Sequence, residues 1–258
     1  MIGCLMFLGC PFRMILRIAG GDLNAIVGLL GFVCGIGAGI LFLNKGYSLG
    51  RTYKQEQVQG FVMPIVQIVL LVLVIAAPAF ILFTPADGGP GAKHAAVMVS
   101  LIAGLIVGGL AQYTRLCMVG GIRDFILFKE TRLLIGFVAI FVAALVGNLV
   151  IGKFNIGFLE QPVAHNDGLW NFLGMVLAGY GCCLLGGCPL RQLVLTGEGN
   201  TDSAITFLGL FVGAAFSHNF ALAASGKGPS ANGKIAVIIG LIVVTIIAVT
   251  NTLKKEKV

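Results

Sequence analysis

Gly181-Cys182-Cys183-Leu184-Leu185-Gly186-Gly187-Cys188-Pro189-Leu190-Arg191 restates, without a gap, a block that stands 178 residues earlier as Gly3-Cys4-Leu5-Met6-Phe7-Leu8-Gly9-Cys10-Pro11-Phe12-Arg13. Both copies keep two thiols and a Cys-Pro-x-Arg ending. A looser relative, Arg115-Leu116-Cys117-Met118-Val119-Gly120-Gly121-Ile122-Arg123, lies between them. A unit kept this way reads as a repeated structural element. In a chain that is otherwise mostly hydrocarbon, such an element marks where something polar meets the protein inside a membrane.

Working outward, 58% of residues are apolar and 10% charged, with a mean hydropathy of +1.01. Soluble domains carry roughly a quarter charged residues, so this is an integral membrane protein. Apolar stretches of the length needed to cross hydrocarbon recur at Leu23 to Leu43, Phe61 to Phe83, His94 to Gln112, Leu133 to Gly152, Leu169 to Leu185, Ala204 to Leu222 and Ile235 to Thr250. None alternates in polarity as a barrel strand would, so the fold is all-α. Many of the 38 glycines fall inside these spans, where small residues let helix backbones approach closely.

The net charge of +7 is less informative than its distribution. Lys and Arg gather in Lys45 to Lys54, in Arg115 to Arg132 and in the tail Lys254, Lys255 and Lys257; the positive-inside rule makes these segments cytoplasmic, the C-terminus included. The expected location is the inner (plasma) membrane, crossed several times, with the lipid bilayer as partner and no nucleic acid. The seven cysteines lie mostly in apolar sequence and read as free thiols rather than loop disulfides.

The repeat extends past the cysteines, since Gly21 to Ile26 resembles Gly199 to Ile205. Asp22 or Asn24, and Asp202 or Ser203, are of the types that cap a helix start. Cys10 to Ile18 and Cys188 to Thr196 are too short to cross, and the proline after each cysteine suits a helix's first turn, so both read as re-entrant half-helices. Five full spans then separate Cys10 from Cys188, and an odd number turns the copies to opposite sides. This is an inverted internal repeat, the layout of many transporters with a site near the midplane. The chain divides into a first unit (1–90), a middle unit carrying the Cys117 block (91–160) and an inverted second unit (161–258). Because Met1 stands directly against a block whose second copy follows a full span, the sequence reads as beginning inside a longer protein.

Paired half-helices aim positive dipole ends at a common point, where an anion is held without a full counter-charge. Thiols there are weak donors suited to soft acceptors, favouring sulfur or selenium over a hard oxyanion. The substrate-binding candidates are Cys10, Cys117 and Cys188, with Arg13, Arg115, Arg123 and Arg191 as sources of positive charge or as anchors at helix ends. Cys4, Cys182 and Cys183 rank second, because they lack the Pro and Arg context, and Cys34 reads as a small apolar filler. Asp124 neutralises Arg123, and His94, His165 and His218 read as interfacial residues.

No catalytic residue is expected. Zinc-type sites want closer cysteine pairs and histidine partners, a thiol oxidoreductase wants Cys-x-x-Cys, and the Gly-rich runs lack the Lys-Ser/Thr of a P-loop. Neither a metal nor a cofactor is therefore expected. Two alternatives to a transporter stay open: a membrane partner that hands activated sulfur or selenium to a soluble cytoplasmic acceptor protein, and a channel for another small anion.

At Gly187 to Arg191, Gly9 to Arg13, Arg115 to Asp124 and Gly46-Tyr47-Ser48-Leu49-Gly50-Arg51 the chain resembles the YeeE/YedE family of sulfur-transport membrane proteins. The family includes thiosulfate importers and YedE proteins linked to selenium metabolism, and the extended motifs look closer to YedE. The resemblance implies import of a small inorganic sulfur or selenium compound, thiosulfate being the type, passed between thiols by hydrogen bonds. It assigns that relay to Cys10, Cys117 and Cys188. Relatives of the YedE kind carry further spans and a further cysteine motif before the first block.

Overall fold

The computed structural model describes residues 1–49, 56–76 and 95–255. The expected span Phe61 to Phe83 lies outside the described residues beyond position 76, as do His94, Gly50, Arg51, Lys54 and Lys257. Eleven helices follow in order among the described residues: α1 (Ile2–Phe7), α2 (Pro11–Ala19), α3 (Leu23–Asn44), α4 (Gln57–Ala76), α5 (Val97–Thr114), α6 (Met118–Phe128), α7 (Arg132–Ile151), α8 (Gly168–Leu185), α9 (Pro189–Gly197), α10 (Thr201–Asn219) and α11 (Ala231–Lys255). The protein is an all-α, multi-pass membrane protein. Among the described residues, six apolar helical stretches are long enough to cross a bilayer: Ile2–Ala19, Leu23–Asn44, Val97–Phe128, Arg132–Ile151, Gly168–Gly197 and Ala231–Leu253. The expected span at Ala204 to Leu222 forms as α10, but Asp202, Ser203, Thr206, Ser217 and His218 keep that helix out of this apolar set.

Three of the six stretches are broken, and every break follows one plan. The helix ends on a left-handed residue, Leu8 (φ 61°), Arg115 (φ 53°) or Gly186 (φ 89°); one residue follows, then a cysteine, and a new helix begins. At each break the N–H of the intervening residue donates to a carbonyl five residues back: Gly9 to Cys4 (2.8 Å), Leu116 to Ala111 (3.0 Å) and Gly187 to Cys182 (3.1 Å). This 6→1 bond is the Schellman stop, which satisfies a carbonyl that hydrocarbon could not. Leu8 and Arg115 hold the left-handed conformation at a cost of about 1–2 kcal/mol each, which glycine at 186 avoids.

The 178-residue offset of the cysteine blocks carries through the backbone. Helix α9 repeats the bounds of α2, and α10 begins where the offset puts the start of α3. Asp22 N–H bonds the Arg17 carbonyl as Asn200 N–H bonds that of Leu195, and Gly21 (φ 97°) corresponds to Gly199 (φ 86°). That register also corrects the expected second cap. Asp22 caps α3 by accepting from Asn24 N–H, but α10 is capped by Asn200, whose side chain accepts from Ser203 N–H at 2.9 Å. Asp202 and Ser203 already lie in the first turn, with helical backbones that cannot serve as caps.

By compactness the described residues form two units, one of 1–49, 117–190 and 208–255, the other of 56–76, 95–116 and 191–207. The first is built on α3 against α8. Gly31 faces the Phe172 carbonyl, Gly35 the Val176 carbonyl and Gly179 the Phe32 carbonyl, so closely that a β-carbon at any of them would collide. Small residues thus set the helix separation, as expected for packing in lipid. Gly37, Gly104, Gly108 and Gly109 take no part in such packing; added β-carbons there would meet nothing within 4 Å.

Helix α1 is short but fully tied in. Its last four carbonyls are each engaged: Cys4 by Gly9 N–H, Leu5 by Ala224 N–H (3.2 Å), Met6 by His165 Nε2 (2.8 Å) and Phe7 by Arg17 Nη1 (2.7 Å). His165 is therefore not the interfacial residue expected of it. It is buried, with Nδ1 accepting from Asp167 N–H, so that Nε2 is the donor toward Met6. The segment before it is laced to the α2–α3 junction by Asn155 N–H to Gly20 O (2.9 Å), Leu23 N–H to Gly157 O (3.1 Å) and Asn24 Nδ2 to Phe158 O (2.7 Å).

Candidate functional site

Each break places its cysteine at the start of a helix. Cys10, in extended conformation (φ −79°, ψ 168°), is the N-cap of α2 with Pro11 in the first turn, Cys117 is the N-cap of α6, and Cys188 directly precedes Pro189 of α9. A helix start offers unpaired N–H groups and the positive end of the dipole. Cys117 already uses one of these groups, since its Sγ accepts from Gly120 N–H at 3.3 Å.

Two of the three candidates meet. The Cys117 thiol is hydrogen-bonded to the Cys188 side chain and to the Cys188 backbone, and both residues are buried. Arg123 lies within electrostatic range of Cys117 and of Cys183. Its guanidinium is also paired with Asp124 at 2.9 Å, the neutralisation read from the sequence.

Cys10, half-buried, is within electrostatic range of Cys4, and Cys182 is within range of Cys4, Cys117 and Cys183. Of the three thiols ranked second, Cys4 is thus within range of Cys10, and Cys182 is within range of both Cys4 and Cys117. Their repeat-related places, each six residues before a capping cysteine, were the available signal. Cys183 is buried beside Gly39, whereas Cys34 is exposed on α3 and is not the packed filler expected of it. None of the seven forms a disulfide, and no group of three His, Cys, Asp or Glu able to hold a metal occurs among the described residues.

The arginines separate. Arg13 is half-buried, its stem packed along Gly9. Arg115 is the exposed left-handed residue closing α5. Arg191 donates from Nη1 to Gln112 Oε1 at 3.0 Å, with Glu198 3.9 Å away. Arg115 and Arg191 belong to the second compact unit, whereas Cys10, Cys117 and Cys188 belong to the first. The sequence reading missed Arg17, which is buried and paired with Asp22 at 2.7 Å. Its signal was the mismatch with Leu195, the residue 178 positions on.

A family model described as sulphur transport matches residues 113–258, which hold both the Cys117 and Cys188 breaks. The chain belongs to the YeeE/YedE sulphur transport family. Among curated proteins it is 32% identical over 114 residues to the thiosulfate transporter TsuA of Escherichia coli (strain K12), covering 42% of this chain and 30% of that protein. It is 29% identical over 117 residues to the thiosulfate transporter TsuA of Spirochaeta thermophila, covering 45% of this chain and 34% of that one. The matches span about a third of the length of these relatives. No solved structure matches the chain. The family and the relatives' names point to transport rather than enzyme chemistry.

Proposed function

We propose that this chain imports a small sulfur anion of the thiosulfate type, or its selenium counterpart, along a path of thiols that includes Cys10, Cys117 and Cys188. The observation that carries the reading is the meeting of Cys117 and Cys188 at two helix starts inside membrane-spanning sequence. There, N–H groups and dipole ends stabilise negative charge without a counter-ion that would trap it. A thiol both donates and accepts weakly, so a terminal sulfur is held by one and released to the next, the condition for conduction through several sites. Cys4, within electrostatic range of Cys10, and Cys182, within range of Cys4 and Cys117, are the further thiols assigned to this path, with Arg123 lending positive charge near Cys117 and Cys183. The arrangement of Lys and Arg supports a cytoplasmic C-terminus and the odd number of expected spans between repeats supports copies of opposite orientation, while inward movement is supported by the resemblance to the family's importers.

The test is uptake of radiolabelled thiosulfate by cells lacking other thiosulfate permeases and expressing this protein. Cys188→Ala lowers uptake by about tenfold or more, because one of several serial sites is lost. Membrane levels are measured by immunoblot, and excess selenosulfate competes with the label. Full uptake by a normally inserted Cys188→Ala protein would falsify the thiol path.

A further inference from the structure

We infer that Arg17, clamped by Asp22, is a positioning residue for the Cys10 thiol. Its Nε donates to Asp22 Oδ2 at 2.7 Å and its Nη1 to the Phe7 carbonyl at 2.7 Å, while the guanidinium carbon lies 4.2 Å from the centre of the Phe7 ring. Phe7 is fully buried, its ring edge closed off by Gly28 of α3, and it is the last helical residue before the Leu8-Gly9-Cys10 break. One guanidinium thus fixes the main chain three residues ahead of the thiol and anchors it to the cap of the next helix.

The repeat shows that the fold does not need this pair. At the corresponding positions stand Leu195 and Asn200, and Leu185 takes the place of Phe7, yet the Schellman bond, the left-handed residue, the helix bounds and the capped helix start all recur. A charged pair buried in membrane-spanning sequence is costly and marks function when the backbone forms without it. Arg17 Nη2 is buried and without a hydrogen-bond partner, so the guanidinium keeps donor capacity beyond the two bonds it makes.

This inference rests on the thiol path for its functional meaning, but its test does not. The double variant Arg17→Leu/Asp22→Asn copies the second repeat and is expected to insert normally. In native membranes, alkylation by a small maleimide is followed at each cysteine by peptide mass spectrometry. The rate at Cys10 is expected to change by about tenfold or more, with that at Cys188 unchanged, since displacement of a reacting group by about an ångström can cost up to about a hundredfold. Thiosulfate uptake is expected to show a raised half-saturation concentration, and Arg17→Lys, which cannot fork between two acceptors, to resemble the double variant. Unchanged Cys10 reactivity, or equal changes at Cys10 and Cys188, overturns the assignment. If Cys10 reactivity shifts while Cys10→Ala leaves uptake intact, the positioning stands and the transport path through Cys10 fails.

Discussion

The Cys117 thiol rests against Cys188, 71 residues away in sequence, and each begins a helix immediately after another has stopped. Two helix starts therefore share one buried pair of sulfurs. In a variant keeping only these two cysteines, a short bifunctional thiol reagent is expected to join them, giving a cross-linked peptide pair by mass spectrometry. Thiosulfate should slow the reaction. Single modifications alone would place the thiols apart.

The glycines separate into those that close contacts and those that do not. Gly21 has a φ of 97°, and a β-carbon there would lie 2.5 Å from the Asn155 carbonyl oxygen. Gly21→Ala should cost about 2–4 kcal/mol, combining left-handed strain with overpacking. Gly104→Ala, facing open space, should fall within about 0.5 kcal/mol of the parent. Thermal unfolding of detergent-solubilised protein distinguishes the two, and equal shifts would contradict this packing.

The register of the second repeat yields a capping prediction. Asn200→Ala removes the acceptor of Ser203 N–H and should destabilise α10 by about 1 kcal/mol. Asp202→Ala changes only a first-turn charge, worth about 0.3 kcal/mol once salt screens it. Hydrogen exchange at the start of α10 reads the difference, and a larger effect at Asp202 would restore the sequence-based cap.

Much of the architecture was legible because hydrocarbon permits so few solutions. Apolar length gave most of the spans, and Pro11 and Pro189 after Cys10 and Cys188 gave the starts of two nine-residue helices, since proline is tolerated at a helix's first turn. The N-cap place of Cys117 was harder to read, because Met118 follows it and the stop signal, Arg115 in a left-handed conformation, is not glycine. The long-range bonds of Arg17, Asn24 and His165 escaped because the acceptors concerned, the Phe7, Phe158 and Met6 carbonyls, are main-chain atoms that leave no mark on composition. The cap at Asn200 was misread because similarity of residue type, Asp22 with Asp202, was weighed above the constant offset that the backbone keeps.

His165 offers the last test, because it joins the segment before α8 to the helix that leads into Cys10. Its Nε2 donates to the Met6 carbonyl at 2.8 Å in a buried setting, and its own carbonyl accepts from Asn171 Nδ2 at 3.0 Å. His165→Ala leaves the Met6 carbonyl without a donor where water does not reach, which should cost about 1–3 kcal/mol. His165→Gln keeps an N–H on a side chain of similar reach and should recover part of that loss. Hydrogen exchange should rise first at Leu5 to Leu8, because the carbonyl released is at the end of α1, and only later across α8. Exchange that rises along α8 and leaves Leu5 to Leu8 protected would mean that His165 supports its own helix rather than the cysteine-bearing turn.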